Sequence, residues 1–288
     1  MQIADFTGRS TAAREELITM IRYDYHLHSD FSGDSDTPPE QMAAQAVRLG
    51  LAGICFTEHE DIDAPVSDTD FTVDFDRYFH KMQELKIQYA GRLKIRAGME
   101  FGLQSHLSQS LNRLTEKYPF DFIIASQHFV NGEDPYYPAF FEGKQERDCY
   151  EEFFRVQLDT LKRFSQDSFD TLGHMDYIVR YGPNQNHYYS YEVYADYIDP
   201  ILKYLIDNGK CLEVNTGGLK YGLGEPNPCT GVLRRYRELG GELITIGSDA
   251  HAPQHLCFDF STVEILLKEI GFRFYTVFEN RRPEYIPL

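Results

Sequence analysis

Arg22-Tyr23-Asp24-Tyr25-His26-Leu27-His28 is the stretch on which the reading of the fold turns. Read as a β-strand, it sends alternate side chains to opposite faces, so His26 and His28 share a face and can meet one cation. The same ending recurs along the chain. Thr57-Glu58-His59, Ser126-Gln127-His128, Gly173-His174 and Ser248-Asp249-Ala250-His251 each end or follow a short apolar run, and Glu100 closes Ile95-Arg96-Ala97-Gly98-Met99-Glu100. Any one of these histidines, taken singly, reads as a hydrogen-bonded strand-end residue. Six histidines with Glu100 and Asp249 at one place read differently. So many ionisable groups held together need a cation to offset their desolvation and mutual repulsion. Neutral imidazole with carboxylate suits zinc, iron or manganese, and the pattern points to a polynuclear metal site.

Outward from these endings, short apolar runs alternate with longer stretches of helical spacing. The strand candidates are Arg22–His28, Ala52–Thr57, Lys94–Phe101, Phe120–Gln127, Thr171–His174, Cys211–Asn215 and Leu243–Gly247. Helical spacing marks Phe75–Tyr89, Cys149–Phe164, Tyr191–Ile206, Thr230–Leu239 and Ser261–Ile270, more weakly Leu107–Tyr118, and a segment opened by Pro38-Pro39-Glu40 and closed by Gly50. Strand-helix repeated seven times predicts parallel strands with helical crossovers, either an open doubly wound sheet or a barrel. An open sheet gathers its site at one switch point, whereas a barrel collects every strand end around one mouth. Ligand candidates at nearly every strand end therefore predict an α/β fold, a distorted (β/α)7 TIM-like barrel with its metal site at the C-terminal ends of the strands. The long Tyr-, Pro- and Gly-rich segment Phe129–Arg147 is expected to cover that mouth.

At 288 residues and 42% hydrophobic composition the chain can bury a large core, and no apolar run approaches a membrane span. Residues 21–288 read as one barrel domain. Residues 1–20 read as a short helical extension without the basic-then-apolar order of a secretion signal, which makes the cytoplasm the expected address. The formal charge of −17 argues against a nucleic-acid surface but is compatible with an anionic small molecule held by cations. Five scattered cysteines without a Cys-x-x-Cys pair fit a reducing compartment.

Other features have plainer readings. His80, His106, His187 and His255 fall in a helical stretch, a turn and loops, and are expected at the surface. Asp34, eight residues after His26 in a turn-forming stretch, would alone be an ordinary turn or capping carboxylate. Gly247-Ser248-Asp249-Ala250-His251 cannot form a catalytic triad by adjacency, and the glycines of Asn215-Thr216-Gly217-Gly218-Leu219-Lys220 lack phosphate-loop spacing. That last segment still follows a strand into the mouth, where its amides and Lys220 either meet an anion or form a plain solvated loop. Arg180, six residues after His174, offers a guanidinium suited to bidentate phosphate contact, or to a surface salt bridge.

Taken together, Asp24–Ser32, Thr57–His59, Gly98–Glu100, Ser126–Gly132, Gly173–Asp176 and Gly247–His251 resemble the motifs of the PHP (polymerase and histidinol phosphatase) superfamily. Within it the chain is most similar to the stand-alone histidinol-phosphate phosphatases, from about Tyr23 to Phe278. The resemblance implies a (β/α)7 barrel holding two to three divalent metals (Zn, Fe or Mn). His26, His28, Glu100 and Asp249 would hold the first, Glu100 would bridge to a second with His128 and His174, and Asp34, His59 and His251 would hold a third. Asp34 stands where many members have histidine. Arg180 matches a phosphate-contacting position and Lys220 replaces a second arginine. The implied activity is hydrolysis of L-histidinol phosphate to L-histidinol and phosphate in histidine biosynthesis, by attack of a metal-bridging hydroxide. Asp249 or His251, or the third metal, would look after the leaving oxygen. Another small phosphoester, or a non-catalytic metal-binding module, are the competing readings. Glu133, Asp134, Tyr136 and Tyr137 in the long loop are candidates for contacts to the imidazole and amine.

Overall fold

The computed structural model describes residues 21–65, 69–165 and 167–288, so the helix expected over residues 1–20 lies outside it. Seven parallel strands follow one another in chain order around the molecule: β1 (Tyr23–Leu27), β2 (Gly53–Glu60), β3 (Lys94–Gly102), β4 (Phe122–Ser126), β5 (Thr171–Leu172), β6 (Cys211–Asn215) and β7 (Ile244–Gly247). The ring closes between the last strand and the first, where the Asp249 amide donates to His26 O at 2.8 Å and the His28 amide donates to Ala250 O at 2.9 Å. Helical crossovers follow the strands: α1 (Pro39–Arg48), α2 (Phe75–Gln88), α3 (Ser108–Lys117), α4 (Glu146–Leu161), α5 (Tyr191–Asp207), the single turn α6 (Gly217–Lys220) with α7 (Thr230–Glu238), and α8 (Phe260–Ile270). This is the α/β TIM-like barrel that the strand-end pattern predicts.

Local signals explain the elements. In α1 a proline sits in the first turn with Glu40, and Arg48 occupies the last, each complementing the helix dipole, before Gly50 leaves at φ +72°. Asp74 caps α2 by accepting from the Arg77 amide, and Phe75, Tyr78, Met82 and Leu85 turn one apolar stripe inward. Every residue of β1, β4, β6 and β7 is buried, as expected of strands covered on both faces. One continuous core runs from Ile21 to Phe278.

Four features depart from the sequence reading. β2 continues to Glu60 rather than ending at Thr57, and β5 is only two residues long, leaving His174 beyond its end. The Asn215–Lys220 segment contains the helical turn α6 rather than an open loop. A C-terminal hairpin, β8 (Phe274–Glu279) with β9 (Arg282–Pro287), is not legible beforehand. Its turn residues Asn280 and Arg281 both take positive φ, a task normally given to glycine, so the hairpin signal is missing. The hairpin covers the end of the barrel opposite the mouth. Tyr25 Oη donates to Phe278 O at 2.8 Å, and Asp121 and Asp170, just before β4 and β5, accept from Asn280 N and from Arg281 Nε at 3.0 and 2.5 Å. All five cysteines are free thiols.

Candidate metal centre at the barrel mouth

Glu100, near the end of β3, is the hub of the mouth. Its Oε1 lies 2.8 Å from His174 Nε2 and 3.3 Å from His128 Nε2, and accepts from Ser126 Oγ at 2.6 Å. Its Oε2 lies 3.1 Å from His26 Nε2, 3.1 Å from His59 Nδ1 and 3.4 Å from His28 Nε2. Asp249 Oδ1 stands 3.8 and 3.6 Å from the same His26 and His28 nitrogens. Asp34 Oδ2 meets His251 Nε2 at 3.0 Å and His59 Nε2 at 3.5 Å. Thus His26, His28, Asp34, His59, Glu100, His128, His174, Asp249 and His251 all arrive at one place from seven segments of chain.

The local backbone is shaped for this. The pairing of β1 with β2 shifts register between Asp24 and Leu27, a bulge placed just where His26 enters the cluster. Gly247 is required beside it, since a Cβ there would collide with His26 Cβ. Asp249 holds φ +55°, an uncommon backbone state for a residue other than glycine, and one that sites of function often retain.

Burial and hydrogen bonding test whether these residues fit a metal. His26 Nε2, His28 Nε2, His59 Nδ1 and Glu100 Oε2 are buried without a hydrogen-bond partner, a costly state unless a cation supplies the missing contact. Four of the far ring nitrogens, in contrast, are engaged, while His174 Nδ1 has no hydrogen-bond partner. His26 Nδ1 faces Glu213 Oε1 at 2.5 Å, His28 Nδ1 faces Ser32 Oγ at 3.1 Å, His128 Nδ1 faces Asp61 Oδ1 at 2.9 Å, and His251 Nδ1 faces the Asp249 carbonyl at 3.1 Å. Such contacts fix the tautomer that leaves Nε2 free to ligate. Two donors at ~2.1 Å from a tetrahedral ion stand about 3.4 Å apart. The 3.1–3.8 Å separations among His26, His28, Glu100 and Asp249 match that spacing. The residues fit divalent cations.

The groupings that could hold an ion are His26–His28–Glu100, His26–His174–Asp249, Glu100–His128–His174, His28–His59–His251 and His59–Asp61–His128. His26–His28–Glu100 lies within the first set implied by resemblance and Glu100–His128–His174 has the members of the second, whereas His26–His174–Asp249 spans the two. Around His59 and His251 the partner sets are broader than implied, because His28 stacks on both rings at 4.2 Å and Asp61 adds a carboxylate. Electrostatics follow this crowding. Burial alone would raise the Glu100 and Asp249 carboxyls, but the histidines around Glu100, and His26, His28 and Arg180 around Asp249, hold both well below the usual range. Burial, with His251 and His59 close by, pushes His28 well down. His59 is carried up to about 9, since Asp34 and Glu100 outweigh its burial.

The two basic candidates differ. Arg180 is buried in the wall of the mouth, its Nε donating to Asn227 Oδ1 at 2.8 Å, Nη1 to Asp249 Oδ2 at 2.9 Å and Nη2 to Asn215 Oδ1 at 2.9 Å. Lys220 donates to the Asp249 carbonyl at 2.8 Å and is not among the residues lining the cavity. The amides of Thr216 and Gly217 are likewise spent, on Gly247 O and Asn215 Oδ1, so neither is open to an anion. Sequence reasoning passed over Asp61, Glu213 and Asn215. Each carried the same signal as His28: Asp61 lies two residues past His59, and Glu213 and Asn215 are a polar i, i+2 pair ending an apolar run. His80 and His106 sit at the surface beside Glu84 and Asp63, as expected.

A seven-stranded barrel with histidines and carboxylates gathered at its C-terminal mouth defines a metal-centre hydrolase architecture, and the model of the PHP domain family matches residues 24–217. The chain belongs to the PHP family. Among its relatives, the histidinol-phosphatase of Lactococcus lactis subsp. lactis is 30% identical over 264 residues, 91% of this chain and 96% of that protein. The probable histidinol-phosphatase of Clostridium acetobutylicum is 30% identical over 266 residues, 91% of this chain and 99% of the relative. A crystal structure of the Lactococcus lactis histidinol phosphate phosphatase, complexed with zinc, L-histidinol and phosphate, superposes with a TM-score of 0.85 at 29% identity, covering 92% of this chain and 99% of that one.

Proposed function

We infer that this protein is a metal-dependent phosphomonoesterase that hydrolyses L-histidinol phosphate to L-histidinol and phosphate in histidine biosynthesis, as a single barrel domain over residues 21–288, working in the cytoplasm. The observation that carries the chemistry is the convergence of three buried, unpartnered imidazole nitrogens on the equally unpartnered Oε2 of Glu100, with Arg180 and Asp249 together on the adjoining cavity. The substrate is supported by the relatives and by the ligands of the neighbouring structure.

His26, His28, Glu100 and Asp249 would hold one ion, Glu100, His128 and His174 a second, and Asp34, His59 and His251 a third, so two to three zinc, iron or manganese ions are accommodated. Such ions acidify water for attack on phosphorus and offset charge on the phosphoryl oxygens. The protein's own part begins with Arg180. Three of its five N–H groups are pinned by Asn215, Asn227 and Asp249, which leaves two to engage an equatorial phosphoryl oxygen without reorganisation. As the bond from phosphorus to the alcohol oxygen breaks, that oxygen must gain a proton. His251 lines the cavity with its side chain 24% exposed, whereas Asp249 Oδ2 is committed to Arg180, so where two ions are bound we assign proton return to His251 and orientation of both groups to Asp249, and a third ion held by His251 would take over that role by offsetting charge on the leaving oxygen.

The test is phosphate release from L-histidinol phosphate by zinc- or manganese-loaded protein, beside a panel of nucleotide and sugar phosphates, with Asp249→Asn as control. A kcat/KM at or above ~10⁴ M⁻¹s⁻¹ is expected, with a preference over the panel of roughly a hundredfold or more. Faster turnover of another ester would discard the substrate, and no turnover of any ester by metal-loaded protein would discard the catalytic reading.

A further inference from the structure

The amides of Thr216 and Gly217 are spent within the protein, yet the glycines of this segment are needed. A Cβ at Gly217 would stand 2.7 Å from Asn215 Oδ1 and 2.8 Å from Arg180 Nη2, and one at Gly218 would stand 2.9 Å from Asn227 Oδ1. Both positions are kept bare by the polar cradle that holds Arg180. Asn215 and Asn227 build that cradle as a pair. Asn215 N donates to Asn227 O at 2.8 Å and Asn227 N to Asn215 O at 2.9 Å, while their side-chain oxygens accept from Arg180 Nη2 and Nε.

An asparagine amide has a donor end and an acceptor end, and a guanidinium can only donate, so each asparagine serves Arg180 one way round. A carboxylate, which can only accept, stands behind each. Asn215 Nδ2 donates to Glu213 Oε2 at 3.1 Å, and Asn227 Nδ2 donates to Asp176 Oδ1 at 2.6 Å. Asp176 Oδ2 accepts in turn from the Cys229 amide at 2.9 Å, just ahead of α7. Asp176, Asn215, Asn227 and Arg180 are all buried, so water is not at hand to make good a donor that faces a donor.

We propose that Asp176 is a positioning residue for phosphate recognition: acting through Asn227, it fixes the acceptor that aims Arg180 at the phosphoryl group. This rests on the reading above that Arg180 meets that group. Asp176 itself does not line the cavity.

The test is a double-mutant cycle. Asp176→Asn offers one acceptor end to two donors, Asn227 Nδ2 and Cys229 N. Of Cys229, Asn227 and Arg180, only Arg180 borders the cavity, so the mismatch is relieved by turning Asn227 round and displacing the guanidinium. Asn227→Asp sets a second carboxylate against Asp176 where they now meet at 2.6 Å. Combining the two changes reverses the polarity of the pair. The new carboxylate accepts from Arg180 Nε and from the new amide, whose oxygen keeps the Cys229 amide.

Binding of inorganic phosphate to the zinc-loaded proteins is measured by calorimetry, with bound zinc, urea stability and kcat/KM on L-histidinol phosphate measured beside it. Each single variant should bind phosphate roughly ten- to a hundredfold more weakly with zinc content retained, as expected for losing a hydrogen bond to a charged group. The combined variant should return to within about fivefold of wild type, a coupling that independent sites do not show. Single variants that lose stability but bind phosphate within about twofold of wild type would make Asp176 a structural residue and overturn the proposal. Losses that add in the combined variant, or that follow zinc content, overturn it too. If a single variant does not fold, a combined variant that folds and binds phosphate supports the proposal, and one that does not overturns it. Arg180→Ala binding phosphate as wild type does would refute the phosphoryl role of Arg180, and the role of Asp176 falls with it. Phosphate affinity is read without turnover, so failure of the phosphatase reading registers separately.

Discussion

Replacing Glu213 with glutamine tests whether the second layer of the site dictates its metal chemistry. Glu213 Oε1 faces His26 Nδ1 at 2.5 Å, and Oε2 accepts from the His174 amide at 2.7 Å and from Asn215 Nδ2 at 3.1 Å. A carboxylate accepts at both oxygens; a glutamine has one acceptor and one donor end. If the new NH2 faces His26, Nδ1 must accept, the ring proton moves to Nε2, and the atom aimed at the cation is blocked. If it faces His174 N and Asn215 Nδ2, donor meets donors, and a buried group is left unsatisfied at about 1–3 kcal/mol. Neither orientation serves, although the substitution is nearly isosteric. Loss of such outer contacts weakens metal affinity or activity by roughly ten- to a hundredfold, about 1.4–2.7 kcal/mol. Equilibrium dialysis against buffered zinc, with kcat/KM measured at limiting and saturating metal, reads the effect directly. Metal affinity within twofold of wild type, with an unchanged rate at limiting metal, would refute the argument that Glu213 sets the His26 tautomer.

Three further outcomes are expected. Arg180→Lys returns a charge to Asp249 but abandons Asn215 and Asn227 and the planar fork, so kcat/KM should fall by about a hundredfold and denaturant stability by ~1–3 kcal/mol; steady-state kinetics and urea titration check both. Gly247→Ala forces a methyl against His26 Cβ, which should cost ~1–3 kcal/mol of stability through overpacking and abolish turnover even with excess metal, seen by urea titration and phosphate release. Stripping metal with a chelator should lower the melting temperature, and re-adding ion at a hundredfold excess over its Kd should restore about 2.7 kcal/mol; identical melting curves with and without metal would contradict the orphaned donors around Glu100.

Strand-end residues made much of the site legible early. His26 and His28, an i, i+2 pair, and Glu100, His128, His174 and Asp249 all mark the C-terminal edges of buried runs, and the barrel brings those edges together as parallel pairing requires. Asp61 and Glu213 escaped notice because a carboxylate in an i, i+2 pair near a strand end, unlike a second imidazole, has too many ordinary roles. Lys220 drew attention by its place after a strand, yet its ammonium is spent on a carbonyl. The closing hairpin went unread because Asn280-Arg281 lacks the glycine that usually announces such a turn.

By itself, the sequence determined the periodicity of strand and helix, the number of parallel units and the residue types at each strand end, because these depend on local spacing and on which side chains tolerate burial. Only the tertiary structure decided which nitrogen of each histidine faces inward, that Arg180 is clamped by Asn215, Asn227 and Asp249, and that Asp134 rather than Glu133 lines the cavity. Those outcomes depend on distances between segments remote in the chain. Hydrogen-bond partnership and burial follow from how the barrel closes, and spacing along one segment carries no record of either.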